Sequence, residues 1–592
     1  MTEVLEQPRF LPTTADEVLS LGWSALDVVL VSGDTHIDSA YIGAAVIGRV
    51  LVAAGFRTAV LAQPDPQNAE DIARLGEPRL FWGVTAGSLD SMVANYTALG
   101  KPRRSDDLTA GGRNNRRPDR AAIVYSHLIR RRFKRTRPIV LGGVEASLRR
   151  ISHYDAWSDT VRRSILFDAK ADFLLYGMAE QSVVELARAL DRGQDPTSLR
   201  GLCYISTSAP EAQARFEGAD IELPPHEAVK ADQGAFIRMF ESFYAHNDPH
   251  TAHRLFQRQD TRYLVHNPPV QPMSAAALDR IHELPYSREV HPFYGAQGAV
   301  RAMETIRFGL ISHRGCYGEC RFCAIAVHQG RQVVSRSRAS LLREARSMTT
   351  HPAFKGIISD LGGPTANMYA IECDRKKRKG ACSDRNCLHP GPCPGLHIDH
   401  APQIELLRAL RRIPGVRHIF IGSGVRHDLV VADVRSGAVY LEEILTRHVS
   451  GQLKIAPEHI QSHLLGLMAK PGRASLESFL AMFDRARRKI AKSIYLTYYF
   501  MAAYPGCGID DMQALRHFSV NRLHVAPEQV QIFTPSPSTW ATLMYYTGID
   551  PFEGRAIFVE RNPARKRKQK EVLTCLRRRT PAGGKPRKKP TV

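Results

Sequence analysis

The chain has 592 residues, of which 43% are hydrophobic and 24% are charged, as in soluble proteins with more than one domain. The N-terminus lacks a basic segment followed by an apolar core, and no apolar run is long enough to span a bilayer, so we expect a cytoplasmic protein with neither a signal peptide nor a membrane partner. Nine of the ten cysteines follow residue 300, which favours metal chemistry over a disulfide framework.

Residues 1–200 are predicted to form the first unit. Buried parallel strands, most of them followed by a helical pattern, are predicted at 26–33, 57–61, 80–84, 138–141 and 172–175. This alternation indicates a doubly wound parallel sheet, whose ligand crevice lies at the carboxyl ends of its strands. The residues that we expect at that edge are Asp34, His36, Asp38, Gly142, Gly143 and Glu145.

The first strand end carries Asp34-Thr-His36-Ile-Asp38-Ser39, which resembles the DxHxxG motif of cobalamin-binding domains. The resemblance implies a cobalamin-domain-like unit in which His36 could be the lower axial ligand of cobalt. Ser39, however, stands where the motif has glycine, and a lone histidine after a strand is more often an ordinary loop residue. Cobalamin is therefore kept only as an alternative cofactor.

Two further stretches of the sequence carry less information. The arginine-rich segment 103–137 fits a phosphate or nucleic-acid contact and a solvated loop equally well. Residues 201–300 contain several prolines and little regular periodicity of apolar residues, so we predict a connector with some helices.

A second α/β unit is predicted over residues 301–560. Its strand-like runs lie at 306–311, 356–359, 418–422, 452–456, 494–501 and 529–533, and helical stretches separate most of them. About six βα repeats predict a partial (β/α)6 barrel, in which chemistry belongs to the loops at the carboxyl ends of the strands.

The first core strand is followed by Cys316-Tyr-Gly-Glu-Cys320-Arg-Phe-Cys323. Three closely spaced thiols can hold three corners of a [4Fe-4S] cubane, whereas an electron-carrier site takes four cysteines, so one iron would stay open for an outside molecule. Zinc is the alternative, but a structural zinc site usually has four ligands in two close pairs, and only Cys320 and Cys323 form such a pair.

The CxxxCxxC spacing resembles the radical S-adenosylmethionine (SAM) superfamily, in which the open iron chelates SAM and one electron splits it into methionine and a 5′-deoxyadenosyl radical. Gly362-Gly363-Pro364-Thr365 occupies the place of that superfamily's Gly-Gly-Glu-like segment, which hydrogen-bonds SAM, although the Glu is missing. Further contacts with SAM hydroxyls are predicted after the third and fourth strands, at Ser423, Arg426 and Glu458.

Further runs are similar to the YgiQ-type radical SAM proteins, and the resemblance covers most of residues 20–555. These runs lie at 117–121, 142–150, 153–157, 328–331 and 544–548. The resemblance implies a radical SAM core joined to a cobalamin-domain-like N-terminal unit, but it implies no substrate.

A second cysteine group, at 373–393, lies in a loop rich in Gly, Pro and Lys. Its four thiols could close a zinc site or hold an auxiliary iron–sulfur cluster, although their spacings fit no standard zinc finger. Free thiols in a surface insertion are the alternative. The group consists of Cys373, Cys382, Cys387 and Cys393.

Residues 561–592 form a basic tail. It carries 13 Lys and Arg against one acid, a net +12 of the chain's +22. Its low apolar content predicts disorder, and its charge fits either a weak nucleic-acid contact or a solubilising role.

The sequence thus predicts a cytoplasmic radical SAM enzyme with a [4Fe-4S] cluster, an unknown substrate and an electron donor such as a flavodoxin or ferredoxin. One alternative is a cobalamin-dependent radical SAM methyltransferase. The other is a non-enzymatic, metal-stabilised nucleic-acid-binding protein.

Overall fold

The computed structural model describes residues 5–210, 216 and 218–575 of the chain. Two α/β units lie against each other, and a continuous cluster of buried apolar side chains runs through both. Within the described ranges, no helix is long and apolar enough to cross a membrane.

One nine-stranded sheet organises the N-terminal unit. Its strands are β1 (Val28–Ser32), β3 (Thr58–Ala62), β4 (Phe81–Thr85), β5 (Ile139–Gly142), β8 (Phe173–Leu175), β9 (Leu202–Ser206), β10 (Ile221–Leu223), β11 (Leu255–Gln259) and β12 (Arg262–His266). The short strands outside this sheet are β2 (Ile37–Asp38), β6 (His153–Asp155), β7 (Thr160–Arg162) and β13 (Glu289–Val290).

The sheet order is β10-β11-β12-β9-β8-β5-β4-β1-β3, and the five strands from β8 to β3 run parallel. Every residue of β1 and β3 is buried, because helices cover both faces of the parallel part. β3 and β4 lie on opposite sides of β1, so the strand order reverses there. The carboxyl ends of β1 and β4 therefore border the crevice in which doubly wound sheets bind ligands.

Twelve helices accompany these strands in the described part of the unit. They are α1 (Ala15–Ser20), α2 (Gly43–Ala53), α3 (Ala69–Ala73), α4 (Ser91–Asn95), α5 (Ala121–Arg132), α6 (Gly143–Leu148), α7 (Ile165–Ala169), α8 (Glu180–Asp191), α9 (His226–Ala231), α10 (Gln233–Ala245), α11 (Ala275–His282) and α12 (Pro292–Gly295).

Residues 201–300 differ from the predicted connector, because four of their strands extend the sheet. β9 pairs antiparallel with β8 and with β12, and β12 pairs antiparallel with β11. The alternation of β11 is hidden in the sequence because two of its buried residues are glutamines. Gln257 donates to the carbonyl of Pro224 at 2.9 Å, and Gln259 donates to the Gln257 side chain at 2.8 Å.

The second unit is built on short parallel strands. They are β14 (Gly309–Ile311), β17 (Ile357–Ile358), β18 (Asp360–Gly362), β19 (His418–Ile419), β20 (Gln452–Glu458), β21 (Tyr495–Ala502) and β22 (Gln529–Ile532). β14 pairs with β18, β17 with β19, and β21 with both β20 and β22. The α/β fold class is confirmed, whereas closure into a partial barrel stays a prediction.

The remaining strands of this unit are β15 (His313–Arg314), β16 (Val334–Ser335), β23 (Ile549–Asp550) and β24 (Arg555–Ala556). Its helices are α13 (Met303–Ile306), α14 (Ile325–His328), α15 (Arg338–Thr349), α16 (Asp374–Lys379), α17 (Ala401–Arg411), α18 (His427–Ala432), α19 (Gly437–Arg447), α20 (Ser462–Met468), α21 (Arg473–Arg488), α22 (Ile509–Asn521), α23 (Trp540–Thr547) and α24 (Pro563–Thr574).

The start of the basic tail is helical, which corrects the prediction of disorder for that part. Asn562 caps α24 by accepting from two backbone amides, and Pro563 occupies its first turn. The buried Gln569 accepts from the amide of Ala503 at 2.8 Å, and Leu573 is fully buried. These buried contacts stabilise the helix despite the low apolar content of the segment. The prediction of disorder for residues 576–592 lies outside the described residues.

Candidate functional site

The cysteine loop lies between β15 and α14, beyond the carboxyl end of β14. Gly315 enters it with φ +77°, a conformation that favours glycine, and a Cβ there would overlap the carbonyl of Gln332. Arg321 fastens the loop to α20, because its amide donates to Met468 at 3.1 Å and its guanidinium to the carbonyl of Gly466 at 2.9 Å. The backbone thus holds the three cysteines on one short, fixed segment.

Two of the three sulfurs accept hydrogen bonds, one from within the loop and one from Arg426, which precedes α18. The amide of Gly318 donates to Cys316 Sγ at 3.3 Å, and Arg426 Nη1 donates to Cys320 Sγ at 3.6 Å. A Cβ on Gly318 would lie 3.2 Å from Cys316 Sγ and 3.6 Å from Cys320 Sγ, so this glycine sits between the two sulfurs. Such donors suit thiolates that ligate a cluster.

Burial sets the protonation of these thiols when no metal is bound. It raises the pKa of Cys316, and it raises the pKa of Cys323 to about 12. Both sulfurs would therefore be neutral thiols at pH 7 on their own, and a bound metal centre is what would keep them ionised.

A cubane and a single metal ion require different spacings of the three sulfurs. In a cubane each thiolate binds a different iron, so its ligands stand further apart than those of one zinc. Among the residues that the structure describes, no three His, Cys, Asp or Glu side chains are placed to hold one metal ion. The three cysteines stay the predicted ligands of the [4Fe-4S] cluster.

Gly362 is the last residue of β18, next to β14, and Gly363 and Pro364 follow it. The amide of Ser312 donates to the carbonyl of Gly362 at 2.7 Å, which fixes the two strand ends together. A Cβ on Gly363 would lie 2.7 Å from both the carbonyl oxygen and Nε2 of His313. Glycine is therefore required here for close strand approach.

Thr365 connects this segment to the cysteine loop, since its Oγ1 lies 3.7 Å from Cys316 Sγ. The Gly-Gly segment and the first predicted cluster ligand are thus in direct contact.

Ser423 is placed at the site but is already engaged. Its hydroxyl donates to Asp360 Oδ2 at 2.5 Å, and its amide and that of Gly422 donate to Oδ1 of the same carboxylate. The predicted contact with a SAM hydroxyl therefore competes with Asp360.

Arg426 serves the cysteine loop rather than the wall of the cavity described below. It forms a buried ion pair with Asp428 at 2.6 Å, and this guanidinium outweighs burial and lowers the pKa of Asp428 to about 2. Glu458 is also buried, and burial raises its pKa although Lys470 Nζ lies 3.8 Å away. Contacts of Arg426 and Glu458 with SAM stay predictions.

A cavity of about 520 Å³ lies between the two units, within the range of roughly 300–1,000 Å³ usual for ligand sites. One wall consists of Gly362, Gly363, Pro364 and Ser423, together with His313 and the start of α14. The opposite wall is formed by the strand ends of the N-terminal sheet, among them Asp34, Gly142 and Gly143. Four of the predicted SAM-site residues thus share one cavity with the crevice of the first unit.

The carboxylates among the predicted edge residues of the first unit are paired within that unit. Asp34 is buried and pairs with Arg117 at 2.6 Å, and Asp38 pairs with Arg49 at the same distance. Glu145 is buried and accepts from Ser91 and from the amide of Ala122. These carboxylates are occupied by structural contacts.

His36 is not in the cavity wall. Its ring stacks on His291 with centroids 4.9 Å apart, and both of its nitrogens are buried without a hydrogen-bond partner among the described residues. Burial lowers the pKa of His36 well below its usual value. His36 is neutral at pH 7, as a metal ligand must be, but it lies outside the cavity wall, so the predicted cobalt ligand is not placed at this cavity.

The second cysteine group packs against the cysteine loop through the buried Lys376. Lys376 Nζ donates to Glu319 Oε1 at 2.6 Å, to the carbonyl of Arg331 at 2.9 Å and to Cys387 Sγ at 3.3 Å. Tyr317 shares an apolar cluster with Cys373 and Cys387. A metal site formed by Cys373, Cys382, Cys387 and Cys393 stays a prediction.

Three residues at the cavity were missed in the sequence. His313 is fully buried, its Nε2 has no partner among the described residues, and burial lowers its pKa to about 4. Arg314 forms a buried ion pair with Glu180 of the first unit. His328 Nδ1 lies 3.0 Å from Ser147 Oγ, also in the first unit. All three lie close to the cysteine motif in the sequence, but the contacts of Arg314 and His328 with the first unit are seen only in the structure.

The family model described as Radical SAM N-terminal matches residues 10–309. The UPF0313 protein FN0734 of Fusobacterium nucleatum is 49% identical over 571 residues, covering 96% of this chain and 99% of that protein. A UPF0313 protein of Thermotoga maritima is 46% identical over 565 residues, covering 95% of this chain and 98% of that protein.

Among solved structures, one similar chain is the radical S-adenosylmethionine methyltransferase TsrM of Kitasatospora setae, with tryptophan substrate and a SAM analogue bound. The TM-score is 0.48 at 14% identity, covering 93% of this chain and 89% of that one.

Proposed function

Because this chain belongs to the UPF0313 family of YgiQ-type radical SAM proteins, we propose that it is an enzyme that uses a [4Fe-4S] cluster to cleave SAM to a 5′-deoxyadenosyl radical acting on a substrate yet to be identified. The observation that carries the proposal is the contact of Cys316 with Thr365, which joins the cysteine loop to the Gly362-Gly363 strand end beside the cavity.

Cys316, Cys320 and Cys323 would hold the cluster, which supplies one electron for SAM cleavage when bound. The Gly318 amide and Arg426 would donate hydrogen bonds to two of the three sulfurs. Donors to cluster sulfurs stabilise their negative charge, so these two groups would favour the reduced state.

Gly362 and Gly363 would present backbone groups to the amino acid part of SAM, since their lack of side chains keeps the strand end open to the cavity. His313 is held uncharged at pH 7 by its lowered pKa. Its ring packs against Gly363, so it would help to hold the strand end that SAM contacts.

The experiment that tests the function uses anaerobically reconstituted protein. Dithionite and SAM are added, and 5′-deoxyadenosine is quantified for the wild type and for a Cys316→Ala, Cys320→Ala, Cys323→Ala variant. Cys575→Ala is the matched control, because Cys575 is exposed and lies at the end of α24. We expect product from the wild type and the control and none from the triple variant.

SAM-induced changes in the EPR signal separate two kinds of negative result. If no 5′-deoxyadenosine forms but SAM alters the signal of a demonstrated [4Fe-4S] cluster, cleavage depends on the missing substrate. If SAM neither alters that signal nor is cleaved, the proposed function is wrong.

A cobalamin-dependent methyltransferase is the second candidate. The observation that favours it is the depth of the cavity, which continues between α2, α8 and the sheet and is lined there by apolar residues such as Leu30, Ile47 and Val183. His36 would not be the cobalt ligand, so no step is assigned to a corrinoid. Titration with hydroxocobalamin, followed by absorbance, tests the candidate: an unchanged spectrum in both redox states of cobalt argues against it.

A further inference from the structure

The exposed face of α16 carries an unneutralised positive charge. Arg375, Arg378 and Lys379 stand at positions i, i+3 and i+4, so they share one side of the helix, and all three are exposed. Within the described part of the chain, none of the three forms an ion pair with a carboxylate. Lys377, in contrast, is paired with Glu372.

The opposite side of α16 touches the cysteine loop. Lys376 is 2% exposed and reaches Glu319, which lies between Cys316 and Cys320 in the sequence. Lys376 Nζ also lies 5.4 Å from the centroid of the Tyr317 ring. A helix with its side chains is about 10–12 Å across. The basic face therefore stands about one helix diameter from the loop that would hold the cluster.

We propose that Arg375, Arg378 and Lys379 form the docking surface for an acidic one-electron carrier protein that reduces the cluster. This inference rests on the proposed function. The carrier, a flavin or iron–sulfur protein, is oxidised by one electron, and the cluster gains that electron before SAM is cleaved. The transfer needs no other reductant.

Charge complementarity and position favour this partner over a nucleic acid. A surface of one sign steers an oppositely charged protein to the one place where its redox centre comes near the cluster. Single-stranded nucleic acids are usually bound by aromatic platforms between basic residues. The segment from Asp374 to Asn386 contains no aromatic residue.

The test compares the reconstituted wild type with a charge-reversal variant, Arg375→Glu, Arg378→Glu, Lys379→Glu. The matched control is Arg131→Glu, Lys134→Glu, Arg135→Glu, which changes the net charge equally on three exposed residues at the end of α5. Photoreduced flavodoxin and reduced ferredoxin are the two donors. Stopped-flow absorbance gives the second-order rate of cluster reduction, and calorimetry gives the dissociation constant of the oxidised donor.

At low ionic strength we expect the α16 variant to be reduced at least about tenfold more slowly and to bind the donor at least about tenfold more weakly, while the control stays within about twofold of the wild type. The difference should shrink near 1 M salt, where the Debye length is about 3 Å. Whichever donor shows the difference identifies the type of carrier.

Dithionite separates the docking proposal from the proposed function, because it reduces clusters without a protein surface. If dithionite with SAM yields no 5′-deoxyadenosine and SAM leaves the cluster signal unchanged, the proposed function fails. Docking at α16 is refuted if dithionite supports SAM cleavage but neither protein donor reduces the cluster of the wild type. It is also refuted if the donors reduce the α16 variant as fast as the wild type. Loss of RNA binding by this variant with unchanged reduction would refute it equally.

Discussion

Replacing Gly363 by alanine tests whether close approach of two strand ends creates the SAM site. The added Cβ would lie 2.7 Å from the carbonyl oxygen of His313, whereas real Cβ contacts essentially never fall below 3.0 Å. That oxygen belongs to the backbone, so no change of rotamer relieves the overlap, and the segment must move away from the loop that leads to Cys316. Overpacking of this kind costs about 1–3 kcal/mol.

If SAM requires the unshifted strand end, the same free energy is lost from binding. The dissociation constant of SAM should then rise roughly 5- to 150-fold. Gly424→Ala is the matched control, because a Cβ at Gly424 meets nothing within 4 Å and its loop belongs to the same site. Equilibrium dialysis of SAM with the reconstituted proteins measures the change, and iron content per chain confirms that each variant keeps its cluster.

The result that would refute this reasoning is equal SAM affinity in Gly363→Ala and the wild type at equal iron content. An equal loss in Gly363→Ala and Gly424→Ala would also refute it, because the effect would then not come from the contact with His313.

Three further predictions concern buried charges. Arg426→Gln should lower the free energy of unfolding in urea by about 3–5 kcal/mol, because Asp428 is left buried and unpaired. The double variant Arg426→Gln, Asp428→Asn should recover most of this loss. No recovery would contradict the ion-pair explanation. Lys376→Met should lower iron retention, because it leaves the buried Glu319 carboxylate of the cysteine loop without its cationic partner. The double variant Lys376→Met, Glu319→Gln should retain more iron than Lys376→Met alone. His328, whose pKa burial lowers to about 4, binds its proton in the unfolded chain near pH 6.5, so its contribution to stability is lost as pH falls from about 6.5 towards 4. His328→Gln should therefore reduce the stability difference between pH 7 and pH 5 by about 2 kcal/mol, and an unchanged difference would show that His328 is already charged in the native state.

The local features of this chain were predictable from its sequence. Apolar runs such as Val28–Ser32 predict strands buried on both faces, and the spacing of Cys316, Cys320 and Cys323 predicts a cluster loop after a strand. Both patterns depend only on neighbours in the chain.

The features that the sequence did not predict depend on contacts between residues far apart in the chain. The side chain of Ser423 is taken by Asp360, 63 positions earlier, and that of Asp34 by Arg117, 83 positions later. No local pattern reveals these pairs. Of the four strands after residue 201, β11 was hidden because two hydrogen-bonded glutamines take the place of apolar residues. The helix α24 was missed because only a few of its residues are anchored.

The buried pair between Arg314 and Glu180 bears on how substrates and products are exchanged. Separating the two units to open the large cavity would leave both charges without a partner, which costs several kcal/mol. A smaller cavity of about 120 Å³ shares Gly177, Met178 and His328 with the large one and extends to the exposed Gln271. Arg314 lines both cavities, so the ion pair that joins the two units also borders both ligand spaces, and a change that breaks it would alter both at once.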